Sequence, residues 1–189
     1  MASTSRWTTV DYSMLAAVGV VGAVIFYAAW FVWDFFSVLG PLARPLSVGL
    51  WFTAAILAAT LIRKPGAAFA GEVLAAFIES ILPTSAGFIN LLYGILQGLM
   101  AELGYYLLRY KRWDTLAGAF AGALSGIGEI LASIIYYREI AGESIAEAIG
   151  GEIGSTALTI VAVYWIVANM ISGALYGSIA AAIAKAVRR

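Results

Sequence analysis

Residues 61–87 read LIRKPGAAFAGEVLAAFIESILPTSAG, and two glutamates seven positions apart, Glu72 and Glu79, interrupt an otherwise apolar, small-residue run. A spacing of seven returns to nearly the same face of an α-helix. The segment therefore reads as a helix over 67–82 with a carboxylate stripe, opened by the basic turn RKPG and closed at Pro83. What that stripe faces is decided by the rest of the chain. Of 189 residues, 62% are hydrophobic and only 12% charged, with mean hydropathy +0.92. A soluble domain carries about 25% charged residues. The chain reads as an integral membrane protein, and the two glutamates lie at membrane depth.

Several functional classes drop out at once. The sequence has no histidine, no cysteine and zero formal net charge. Disulfides and imidazole or thiolate metal sites are thereby excluded, leaving only carboxylate or carbonyl coordination for a metal. The basic footprint of a nucleic-acid binder is missing. No GxxxxGK phosphate loop occurs, so any ATP that drives this protein is handled by a partner, and no tightly bound cofactor is expected. The N-terminal stretch has a weak basic region followed by an apolar run too long for a signal-peptide core.

A helix crosses the roughly 30 Å hydrocarbon core with about 20 mostly apolar residues. Six runs qualify, at 12–33, 46–62, 67–82, 88–108, 115–137 and 153–184, forming one all-α membrane domain over 1–189. With the N-terminus inside, cytoplasmic segments hold Arg6, Arg63, Lys64, Arg109, Lys111, Arg112, Lys185, Arg188 and Arg189, against only Arg44 and Arg138 outside. That bias places both termini in the cytoplasm. The outer segment 138–152 carries Glu139, Glu143, Glu147 and Glu152, a spacing that predicts a short helix over the outer surface.

Ionisable groups within spans cost at least a few kcal/mol and turn toward the bundle interior or a cavity. Glu72, Glu79, Glu102 and Glu129 are four such acids, with no lysine or arginine inside the spans to balance them. A cation, or a ligand rich in hydrogen-bond donors, would do so. Asn90, Tyr93 and Gln97 form one stripe, Glu129, Ser133 and Tyr136 another, and Asn169 heads a third with Ser172 and Tyr176. By helix rise these converge on the outer half of the bundle, where a small-molecule pocket is expected. Glu102 falls about 140° away from Gln97 on its helix. Its structural alternative is an ion pair with Arg63 or Lys64. Aromatics gather at the pocket level, Trp30, Trp33 and Trp51 among them, and could stack on a flat or cationic ring. Small-xxx-small pairs, Gly19 with Ala23 and Ala67 with Gly71, permit close helix approach within the chain or against a membrane partner.

GLWF at 49–52, IRKPGAAFAGEVLAAFIES at 62–80, GILQGLMAELGYYLLRYKRW at 94–113 and MISGALYG at 170–177 closely resemble the YkoE-type substrate-specificity (S) components of energy-coupling-factor (ECF) transporters, the hydroxymethylpyrimidine and thiamin branch. The resemblance implies a six-helix S component in the cell membrane. It would capture thiamin or its hydroxymethylpyrimidine precursor at the outer face, then topple to deliver it inward. A membrane coupling (T) subunit and a pair of ATPases would drive that movement. Trp51, Glu72, Glu79, Gln97 and Glu102 fall on the family's motif positions. The same resemblance makes Gly19, Ala23, Ala67 and Gly71 candidates for contact with the coupling subunit. From the residues alone, two other classes stay open: a standalone secondary transporter or channel for an organic cation, and a membrane scaffold whose acids pair internally. An enzyme lacks support, because no nucleophile, histidine base or metal constellation is present.

Overall fold

Thr8 and Asp11 start the first helix with a reciprocal cap: the Thr8 backbone N–H donates to Asp11 Oδ2 at 2.6 Å and the Asp11 N–H to Thr8 Oγ1 at 3.3 Å. The computed structural model describes residues 6–40, 42–84, 86–142 and 155–188. Its helices are α1 (Thr9–Val38), α2 (Pro45–Val48), α3 (Thr53–Ile62), α4 (Ala67–Ile81), α5 (Ile89–Leu107), α6 (Thr115–Ile135) and α7 (Ser155–Val187). A 3-10 turn, Gly49–Phe52, joins α2 to α3, and a π-helical turn, Tyr136–Ala141, extends α6. Glu139 lies in that turn, whereas Glu143, Glu147 and Glu152 fall outside the described residues.

Four segments are long and apolar enough to cross a membrane: Thr9–Val38, Pro45–Ile62, Thr115–Ala141 and Thr159–Val187. The chain is an all-α, multi-pass membrane bundle. Pro45–Ile62 is the central element, since 78% of its window is buried inside the protein against 33–39% for the other three. Helices α1, α4, α5, α6 and α7 pack in succession around it, with α1 on α4, α4 on α5, α5 on α6 and α6 on α7. Outward they present lipid-compatible side chains such as Val24, Phe31, Leu116 and Val187.

Small residues set the helix spacing. At Gly122 of α6, a Cβ would lie 2.1 Å from the Gly173 carbonyl oxygen of α7, and at Gly118 one would lie 2.7 Å from that of Gly177. The two backbones touch directly. Gly94 on α5 likewise abuts Ala76 of α4. The four residues considered for a subunit interface belong to this internal packing. Gly19 meets Leu74, Gly71 meets Ala58, and Ala23 and Ala67 are 1% and 0% exposed. All four are buried between helices of their own chain.

Tight turns end the elements. Arg63 adopts a left-handed conformation (φ 57°) after α3, and Gly66 (φ 85°) leads into α4. Lys64 Nζ reaches Asp11 Oδ2 at 2.5 Å, tying this turn to the start of α1.

Candidate functional site

Helix α4 presents Glu79 toward α1 and the 3-10 turn, where two indoles meet it. Trp30 Nε1 donates to Glu79 Oε1 at 2.9 Å and Trp51 Nε1 donates to the same oxygen at 3.2 Å. The two rings stand edge to face, centroids 5.4 Å apart, and Trp33 stands edge to face with Trp51 at 6.2 Å. Glu79 is 1% exposed, and its Oε2 takes no donor from the described residues. Across the bundle, α5 and α6 supply a second carboxylate: Gln97 Nε2 donates to Glu129 Oε2 at 2.5 Å, leaving Oε1 without a donor from the described residues. Both acids line one cavity of 580 Å³. Sites for drug-sized molecules span about 300–1,000 Å³.

The cavity brings together eight of the residues picked out from sequence: Trp51, Glu79, Asn90, Tyr93, Gln97, Glu129, Ser133 and Tyr136. Tyr93 Oη and Ser133 Oγ are 3.3 Å apart, and Asn90 Nδ2 donates to Thr84 Oγ1 at 3.2 Å. Two carboxylate oxygens open to an aromatic chamber can each accept a hydrogen bond from an amine or draw a cation. The tryptophan faces supply a flat surface for a ring.

Three other candidates lie elsewhere, each for a local reason. Glu72 is fully buried, and its Oε2 accepts the Ala55 backbone N–H at 2.8 Å. That N–H belongs to the first turn of α3, which begins anew after the 3-10 turn, so Glu72 caps a helix that starts deep in the bundle. Glu102 caps α4: it accepts from the backbone N–H groups of Gly66 (2.6 Å), Ala68 (3.0 Å) and Phe69 (3.2 Å), and from the Tyr110 hydroxyl at 2.9 Å. It forms no ion pair with Arg63 or Lys64, because the exposed donors of the helix start occupy both oxygens. Asn169 is 0% exposed behind the cavity wall and donates Nδ2 to the Trp165 carbonyl at 2.8 Å.

Of the charged lining residues, Glu79, Glu129 and Arg44, the last escaped the sequence reading. Arg44 reads as an ordinary charge in an outer loop, yet it lies on the cavity wall beside Trp33. Its only sequence signal is its place between Pro41 and Pro45 in a short outer segment.

Comparison with known proteins supplies the family. Residues 10–128 match the family described as "ABC-type cobalt transport system, permease component". The metal in that description finds no ligand cluster here: histidine and cysteine are missing from the chain, and no group of three or more acidic residues gathers for a metal among the described residues. The chain is 31% identical over 137 residues to the "Putative HMP/thiamine permease protein YkoE" of Bacillus subtilis (strain 168), covering 72% of this chain and 67% of that protein. Its structure superposes on a crystal structure of an S-component of an ECF transporter with a TM-score of 0.77 and 27% identity, covering 97% of this chain and 84% of the other. Sequence, fold and chamber together show that the chain belongs to the YkoE-type S components of energy-coupling-factor transporters, the substrate-binding, non-catalytic subunits of these importers.

Proposed function

We propose that this S component binds thiamin, its hydroxymethylpyrimidine precursor, or both, in the chamber between Glu79 and Glu129. The observation that carries this reading is the pairing of two open carboxylate oxygens with a tryptophan wall in one 580 Å³ cavity. An aminopyrimidine offers an amine donor beside a ring nitrogen, which Glu129 with Gln97 can engage through an acceptor and a donor together. Thiamin adds a thiazolium cation, suited to Glu79 and the indole faces. The Bacillus relative's name points to the same two compounds.

In this reading the six apolar runs all lie across the membrane, α4 and α5 included, with both termini cytoplasmic and the chamber facing outward. Helix α4, with 15 residues, rises only about 22 Å, which suits a helix shielded by its neighbours. A coupling subunit and ATPases provide the energy for release inward.

Titration of the purified protein with thiamin and hydroxymethylpyrimidine, followed by intrinsic fluorescence, tests the assignment. Trp30, Trp33, Trp51 and Trp165 line the cavity, so filling it changes the emission. Silence toward both compounds rejects this ligand assignment.

A further inference from the structure

The chamber's one basic side chain among the described residues is Arg44, on the loop between α1 and α2. Three contacts hold it in place. The Tyr164 hydroxyl of α7 donates to the Leu42 carbonyl in the same loop. Arg44 Nε donates to Ser37 Oγ at 3.0 Å, and the guanidinium carbon stands 5.5 Å from the centroid of Trp33. One edge and one face of the guanidinium are thus used. Its two terminal nitrogens meet no acceptor among the described residues, whose ion pairs are Lys64–Asp11 and Arg112–Asp114. A fixed guanidinium with an open fork matches the paired oxygens of a phosphate or carboxylate.

Charge is ordered along the wall. Glu79 is held by Trp51, Trp51 meets Trp33 edge to face, and Trp33 carries Arg44. An acid therefore stands at one end of an aromatic strip and a cation at the other. A ligand complementary to that order has a cationic or donor-bearing end, a flat middle and an anionic tail. Thiamin supplies the first two but ends in a neutral hydroxyl.

We infer that the chamber also accepts the phosphate monoester of its ligand, with Arg44 receiving the phosphate. The inference rests on the thiamin reading above. Arg44 then determines specificity for the tail, while Glu129 serves the pyrimidine end and Glu79 the thiazolium between them. Loss of Arg44 acts on the phosphorylated form first, because only that form supplies the acceptors its terminal nitrogens lack.

The experiment compares dissociation constants of thiamin and thiamin monophosphate for the full chain and for Arg44→Gln and Arg44→Lys, by intrinsic fluorescence. The parent is expected to bind the two within about tenfold of each other. Arg44→Gln should raise the monophosphate-to-thiamin ratio by about tenfold or more, and Arg44→Lys by less, since it keeps the charge without the fork. Parent protein that binds thiamin but discriminates more strongly against the monophosphate overturns the inference alone, as does an Arg44→Gln ratio equal to the parent's. Parent protein that binds neither thiamin nor hydroxymethylpyrimidine overturns the ligand reading and this inference with it. Should Arg44→Gln lose all binding, the Arg44→Lys ratio decides: a rise supports the inference and no change overturns it.

Discussion

Four acids within the helices divide into two kinds of work, and substitution separates them. Glu79 and Glu129 each keep an oxygen open to the chamber. Glu102 engages both of its oxygens with donors at the start of α4, and Glu72 gives one to the Ala55 N–H while its other lies buried outside the chamber lining without a donor from the described residues. Glu79→Gln should weaken thiamin more than the uncharged hydroxymethylpyrimidine, because the change removes charge and keeps shape; parallel titrations read the difference. Glu102→Ala should lower stability by about 1–2 kcal/mol, the ordinary range for losing a helix cap, with thermal unfolding in detergent as the measurement. Thiamin affinity in that variant serves as the contrast, since neither Glu102 nor its hydrogen-bond partners Gly66, Ala68, Phe69 and Tyr110 line the chamber. The sequence placed Glu72 and Glu79 on one helix face correctly, but spacing alone does not divide their roles. That division depends on where α3 restarts, and GLWF carries no proline and no polar N-cap side chain to announce that restart. The bond from Gln97 to Glu129 was equally invisible, because the register of α5 against α6 is set by glycine contacts between them, Gly128 lying against the Leu96 carbonyl.

At the scale of elements, the helix ends and seams carry the fold. Asp114 caps α6 by accepting the Ala117 N–H at 3.0 Å, and Arg112 donates to it at 2.7 Å. The Ala117 bond, then Arg112, holds its carboxyl below the ordinary value of 3.8. A depressed folded pKa contributes stability above the unfolded value and loses it as pH falls through the folded one. The melting-temperature gap between the parent and Asp114→Asn should therefore narrow on acidification below about pH 4. Gly122→Ala should destabilise by about 1–3 kcal/mol, the range for overpacking, because its added methyl meets the Gly173 carbonyl rather than a movable side chain. Thermal unfolding measures this too. Helix positions were largely readable from the apolar runs, since 20-residue hydrophobicity leaves few alternatives. The observed α1 is longer than the run 12–33, starting at Thr9 and ending at Val38, because the Thr8 cap and the aromatic continuation past Asp34 extend it beyond the most apolar stretch.

For the whole molecule, the proposed orientation is open to a direct check, since the chain contains no cysteine. A single cysteine at Lys111 should react with a membrane-impermeant thiol reagent only from the cytoplasmic side, and one at Gly142 only from outside; the reverse pattern would invert the topology. The seam between α6 and α7 bears on how such a chain can move. With carbonyl against glycine and no side chain interposed, the pair has no loose packing to yield, and sliding one helix past the other drives backbone into backbone. The two behave mechanically as a single beam. Such a seam favours movements that carry α6 and α7 together as one body over any slip between them.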